Sequence, residues 1–303
     1  MIDVLSTLLH DYTFQVVALG CALLGIISGI LGSFAVLKKQ SLLGDGVSHS
    51  ALPGVVLAFL ITGSKNTETL LIGALITGLL ATFFIVAIER NSRIKFDSAL
   101  ALILSVFFGL GLVLLTYSQK IPNSNQAGLD RFIYGQASAL VQRDLSIILF
   151  CGAILIIVVL LFWKEFKILI FDEEFAQIIG FNTKLLNGLL TFLIVMTIIL
   201  GLQAVGVILM SAMLIAPAVA ARQWSNKLSV MVLLSSIFGS VSGIVGTFIS
   251  SMENNLPTGP VIVVCITLIA VFSLLFAPNR GIISKIIQRK RNKTKFDLER
   301  RVK

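Results

Sequence analysis

Nine apolar runs, separated by short polar or basic stretches, divide the chain at about residues 14–37, 42–61, 69–88, 98–117, 145–163, 185–203, 204–221, 228–250 and 257–277. Roughly 20 apolar residues in a helix cross a hydrocarbon core, so these runs predict an all-α polytopic membrane protein with eight to nine spanning helices. The count is loosest in two places. Leu202-Gln203-Ala204 leaves almost no connection between the sixth and seventh runs, and 118–144 is the longest connection in the chain. Within the latter, residues 129–135 (LDRFIYG) are amphipathic enough to lie along an interface.

Charge orients the runs, because Lys and Arg concentrate in cytoplasmic connections. With the N-terminus outside and the C-terminus inside, twenty of the 24 Lys and Arg become cytoplasmic, ten of them in 280–303. Lys65, Lys120, Arg131 and Arg143 stay outside. The expected organisation is one membrane domain over 1–279 followed by a basic cytoplasmic tail over 280–303. A tail of this kind sits near anionic headgroups, so the net charge of +9 does not call for nucleic acid.

Composition agrees with a membrane protein: 56% of residues are hydrophobic and 13% charged, against about 25% charged in soluble domains. Cys21, Cys151 and Cys265 lie inside apolar runs without paired spacing, and read as small buried hydrophobes. The first run is too long for the core of a signal peptide.

One internal echo stands out. Residues 25–34 (GIISGILGSF) and 239–248 (GSVSGIVGTF) agree at six of ten positions. The predicted topology runs these helices in opposite directions, as an inverted repeat requires. Glycines three and four apart also let helix backbones approach closely, so both helices are expected to pack on neighbours rather than lipid.

Fourteen of the fifteen acids fall in connections or near span ends, and Asp45 is the exception. A carboxylate in a span costs roughly 2.5–3.5 kcal/mol even on the lenient insertion scale, so it should have a partner. His49 lies four residues on, on the same helical face. Gly44, Gly46, Ser48 and Ser50 keep the surroundings small. Pro53 has no N–H, which leaves the His49 carbonyl without its usual helical donor. Three roles fit this polar spot: an Asp–His pair gluing helices, a proton relay in an ATP-independent secondary transporter, or a divalent-cation site. A two-fold partner would double the ligands, and mixed nitrogen and oxygen donors suit Mn2+, Fe2+ or Zn2+ better than Cu(I). Met210 and Met213 are read as packing.

The stretch 32–54 (GSFAVLKKQSLLGDGVSHSALPG) resembles the signature of metal-transporting ATP-binding-cassette permeases of the manganese/zinc/iron chelate type. Phe96-Asp97-Ser98-Ala99, residues 203–218 (QAVGVILMSAMLIAPA) and Leu256-Pro257-Thr258-Gly259-Pro260 continue the likeness. The resemblance implies the fold of vitamin B12-type importer permeases, placed in a bacterial plasma membrane. It also implies a second permease subunit, either a copy or a paralogue, together with cytoplasmic ATPase subunits and an extracellular metal-binding lipoprotein. The chain has no G-x-x-x-x-G-K-[ST] loop, so it is read as a transport subunit and not an enzyme. By resemblance, Asp45 and His49 hold the transported metal, manganese before zinc, and no permanently bound cofactor is implied. The resemblance also places ATPase coupling in a short helix at 218–227, after Pro217, with Ala218, Arg222 and Gln223. A second coupling candidate is the E-x-A-x-x-x-G pattern of Glu174, Ala176 and Gly180.

Overall fold

The computed structural model describes residues 11–64, 66–120, 140–252, 256–278, 280–286 and 288. The amphipathic stretch 129–135 and most of the basic tail lie outside the described residues. Twelve helices are seen among them: α1 (Tyr12–Leu37), α2 (Leu43–Ser50), α3 (Leu52–Thr62), α4 (Thr67–Asn91), α5 (Phe96–Lys120), α6 (Gln142–Leu161), α7 (Trp163–Phe171), α8 (Glu173–Ile178), α9 (Thr183–Val205), α10 (Val207–Trp224), α11 (Leu228–Met252) and α12 (Thr258–Phe276). Eight helical segments among the described residues are long and apolar enough to cross a membrane, with α2 and α3 together forming one of them. The seventh sequence run forms α10, a buried helix packed among α1, α2, α11 and α12. The near-absent connection before it is a reversal at Gly206, whose φ of 86° lies in the left-handed region open to glycine. The turn is tight enough to bring Gly201 against the Met210 sulfur.

The echoed helices α1 and α11 pack directly on each other, antiparallel. A Cβ on Gly25 would fall on the Gly239 carbonyl, one on Gly29 would come within 2.6 Å of the Ser235 carbonyl, and one on Gly243 within 2.7 Å of the Cys21 carbonyl. These three contacts are related by a local two-fold through Gly25 and Gly239: shifting 21, 25 and 29 by the echo's spacing gives 235, 239 and 243. The Ser235 hydroxyl donates to Gly29 O across the crossing at 2.8 Å. A second pair, α3 and α4, meets in the same manner at Gly54 and Gly73.

The bundle has two distinct ends. At one end, Tyr12 Oη donates to Gln142 Oε1 at 2.9 Å and Arg143 Nη2 lies 2.7 Å from Glu68 Oε1. At the other, Lys38, Glu89, Arg90, Glu173 and Lys184 line one cavity. The predicted alternation of helix ends is therefore the one observed. The second set is called the basic end below.

Candidate functional site

After α1 the chain turns sharply. Lys39 takes a left-handed φ of 60°, and α2 begins at Leu43. Burial pushes the Lys38 ammonium from its ordinary 10.5 down to about 8, against the pull of Glu173 and Glu89. The unfolded chain then binds more protons than the folded one between those values, so this group's contribution to stability rises with pH across that window. The melting temperature of the wild type relative to Lys38→Met in detergent is expected to climb between pH 8 and 10. A flat difference would count against it.

Three sides of α2 are covered. A Cβ on Gly44 would meet Leu214 and Ser211 of α10, and one on Gly46 would meet Leu100 of α5. Val47 packs over Gly78 of α4, beside Val195 and Ile199 of α9. At 100° per residue, the remaining side belongs to Asp45 and His49. It is open: the side chains are 45% and 21% exposed. His49 Nε2 lies 3.4 Å from Asp45 Oδ1, while His49 Nδ1 is buried with no hydrogen-bond partner. The His49 ring stands edge-to-face on Phe108, with centroids 4.8 Å apart. Nothing in the sequence marked that neighbour.

Asp45 belongs to the first turn of α2, nearer a helix start than the sequence suggested. Its depth follows from its neighbours instead. Phe108 is the midpoint of α5, and Gly78 lies one residue from the midpoint of α4. The elbow thus carries a short helix to mid-height before the polar pair appears. The helical path continues through Ala51, whose N–H reaches Val47 O at 2.9 Å and whose carbonyl accepts from Val55 at 3.1 Å; the bond that is missing is at Pro53, at the start of α3, which has no N–H for His49 O. One carboxylate and one imidazole give two metal-ligand groups. No cluster of three or more His, Cys, Asp or Glu that could hold a metal occurs among the described residues.

The two stretches expected to couple to an ATPase differ in kind. No separate short helix occupies 218–227: α10 runs through Pro217 to Trp224, Ala218 is fully buried, and Arg222 and Gln223 are partly covered in its last turns. Glu174, Ala176 and Gly180 instead build a short projecting helix. Asp172 caps α8 by accepting from Phe175 N at 2.8 Å, and Asn187 Nδ2 holds Glu173 Oε1 at 2.7 Å. Ala176 is the buried anchor, and Gly180, with φ 91°, turns the chain into α9. Below, Phe34 packs edge-on against Trp163 and Phe166, fixing α7 to the end of α1. Phe175 (50%), Ile178 (81%) and Ile179 (51%) are left exposed at the basic end. Met210 and Met213 are buried in packing, as expected.

Residues 10–277 match the ABC 3 transport family. The chain belongs to that family. It is 49% identical over 287 residues to the zinc transport system membrane protein TroC of Treponema pallidum, covering 95% of this chain and 96% of that one. It is 48% identical over 279 residues to the manganese transport system membrane protein MntC of Bacillus subtilis, covering 92% of this chain and 64% of that one. Among solved structures, PsaBC from Streptococcus pneumoniae in complex with Fab superposes with a TM-score of 0.82 at 32% identity, over 96% of this chain and 100% of that one. An inward-facing metal-chelate type ABC transporter, at 16% identity, shares the fold with a TM-score of 0.63 over 86% of this chain and 85% of that one. The ABC 3 membership and these superpositions bear out the fold class read from the sequence.

Proposed function

We propose that this ABC 3 chain is the permease subunit of an ATP-driven importer of divalent transition-metal ions, with Asp45 and His49 holding the ion transiently on its way between two permease subunits. The observation carrying this reading is the open, mid-height Asp–His pair, which offers two donors of the mixed nitrogen and oxygen kind and lacks the rest of a coordination shell. A second permease facing the same cleft completes the set. Manganese is the cargo we propose and zinc the ion it is tested against, since the named relatives belong to systems for each. Transient holding suits a pathway, where an ion must leave as readily as it enters. An extracellular metal-binding lipoprotein supplies the ion, and ATPase subunits act at the basic end, which faces the cytoplasm of the bacterial cell with the N-terminus outside.

In this reading the coupling element is α8, because its exposed apolar tip at a water-facing end is what a docking contact would cover. Ile178→Asp is expected to lower metal-stimulated ATP hydrolysis at least about tenfold, a loss within reach of one interface anchor, while metal binding to the isolated permease is unchanged. Unaltered coupling in that variant would move the contact elsewhere.

Energetics tests the reading as a whole. Vesicles containing the permease and its ATPase should accumulate Mn2+ only with ATP inside the nucleotide-accessible compartment. Accumulation without ATP that collapses with an uncoupler would establish the proton-relay transporter instead.

A further inference from the structure

A cavity of about 600 Å³ opens at the basic end between α4 and α9, with the α1–α2 elbow and the first residue of α8 as its floor. It has no part in the proposed metal path. On α2 the residue facing α4 and α9 is Val47, diametrically opposite the Asp45–His49 side, so the cavity lies behind the site.

Its chemistry is divided by depth. The floor carries Lys38, Arg90 and Lys184, and none of them forms an ion pair among the described residues, where the only pairs are Asp45–His49 and Glu68–Arg143. Asn187, 9% exposed, uses its Nδ2 on Glu173 and leaves Oδ1 buried with no partner; Gln40 Oε1 is in the same condition. Higher up, toward the membrane interior, Leu79, Phe83 and Phe192 form an apolar wall beside the hydroxyls of Thr82 and Thr191. Phe83 and Phe192 are 66% and 40% exposed. Gly188 opens the wall between the two levels, since a Cβ there would meet nothing within 4 Å.

We propose that this cavity binds one anionic glycerophospholipid from the adjacent leaflet. Lys38, Arg90 and Lys184 take the phosphodiester, a headgroup hydroxyl donates to Asn187 Oδ1, and an acyl chain lies between Phe83 and Phe192. Three unpaired cations over an apolar slot at a membrane boundary match that ligand in both charge and shape. They also exclude the transported cation, which Glu89 and Glu173 alone would have to hold against three positive groups. Because Glu173 begins α8, the bound headgroup would brace the projecting helix.

Native mass spectrometry of the full permease released from nanodiscs of phosphatidylglycerol and phosphatidylcholine tests this. The wild type is expected to retain one phosphatidylglycerol per chain, preferred by about tenfold or more over phosphatidylcholine, given three basic contacts. Gly188→Trp, which fills the slot, should lose the adduct, and Lys184→Glu, at an exposed position, should lose the preference. Equal retention of both lipids by the wild type, or unchanged retention in both variants, would overturn the proposal. So would displacement by soluble glycerol phosphate as efficient as by lipid, because the ligand would then be a free phosphate. Lipid retention is measured without metal or ATP, so it stands or falls separately from the transport reading.

Discussion

Asp45→Ala and His49→Ala are each expected to bring ATP-dependent uptake of radioactive manganese or zinc close to background in vesicles holding the complete importer. The loss should be at least about tenfold, the lower bound seen when even the outer partners of a metal ligand are disturbed. Both side chains lie on the least covered side of α2 and neither belongs to the fully buried core, so both variants should still fold, although His49→Ala gives up the ring's edge-to-face contact with Phe108. Their permeases should therefore be recovered at wild-type levels and still assemble with the ATPase. Asp45→Asn separates the remaining roles. It keeps the shape and a hydrogen bond to His49 but removes the charge, so a metal site loses uptake where a helix-gluing pair would keep it. Normal uptake by both alanine variants at normal expression would end the metal-site reading.

Gly25→Leu is expected to produce the largest loss of stability of any single substitution considered. The obstacle to its side chain is the Gly239 carbonyl, main chain that cannot rotate away. Overpacking against movable side chains costs about 1–3 kcal/mol, and more where nothing can yield. Gly239→Leu should behave alike, since the contact is reciprocal. Gly109→Ala is the control: it lies within α5 and a Cβ there meets nothing within 4 Å, so its effect should stay within about 1 kcal/mol and lean toward stabilisation. Thermal melting in detergent distinguishes these outcomes. Equal melting temperatures for Gly25→Leu and Gly109→Ala would mean that α1 and α11 do not cross as closely as described.

Much of this was legible in the sequence, for reasons that differ from element to element. The spans could be read because lipid demands long unbroken apolar helices. The α1–α11 pairing was half visible: repeated glycines announced a close approach, while nothing in either decapeptide said that the partner was the other one. The Asp45–His49 juxtaposition follows from helical spacing alone. Its depth does not, because that depends on the elbow at Lys38 and Lys39 and on where α4 and α5 run. The short helix that the resemblance placed after Pro217 is not a separate element, because α10 continues to Trp224. Within a membrane bundle a proline is tolerated inside a helix, and Ala218, Ala220 and Ala221 continue it readily. Gly180 and Ala176 did signal the other short helix, one by its left-handed turn and the other as a small residue at a crowded contact.

The two glycine contacts have a mechanical consequence. Where backbones touch, as α1 does α11 and α3 does α4, there is no layer of side chains to shear, so each pair moves as one stiff block. The short α2 lies against α10 on one side and α4, α5 and α9 on the other, so a displacement of the α3–α4 block would be passed directly to the helix that carries Asp45 and His49.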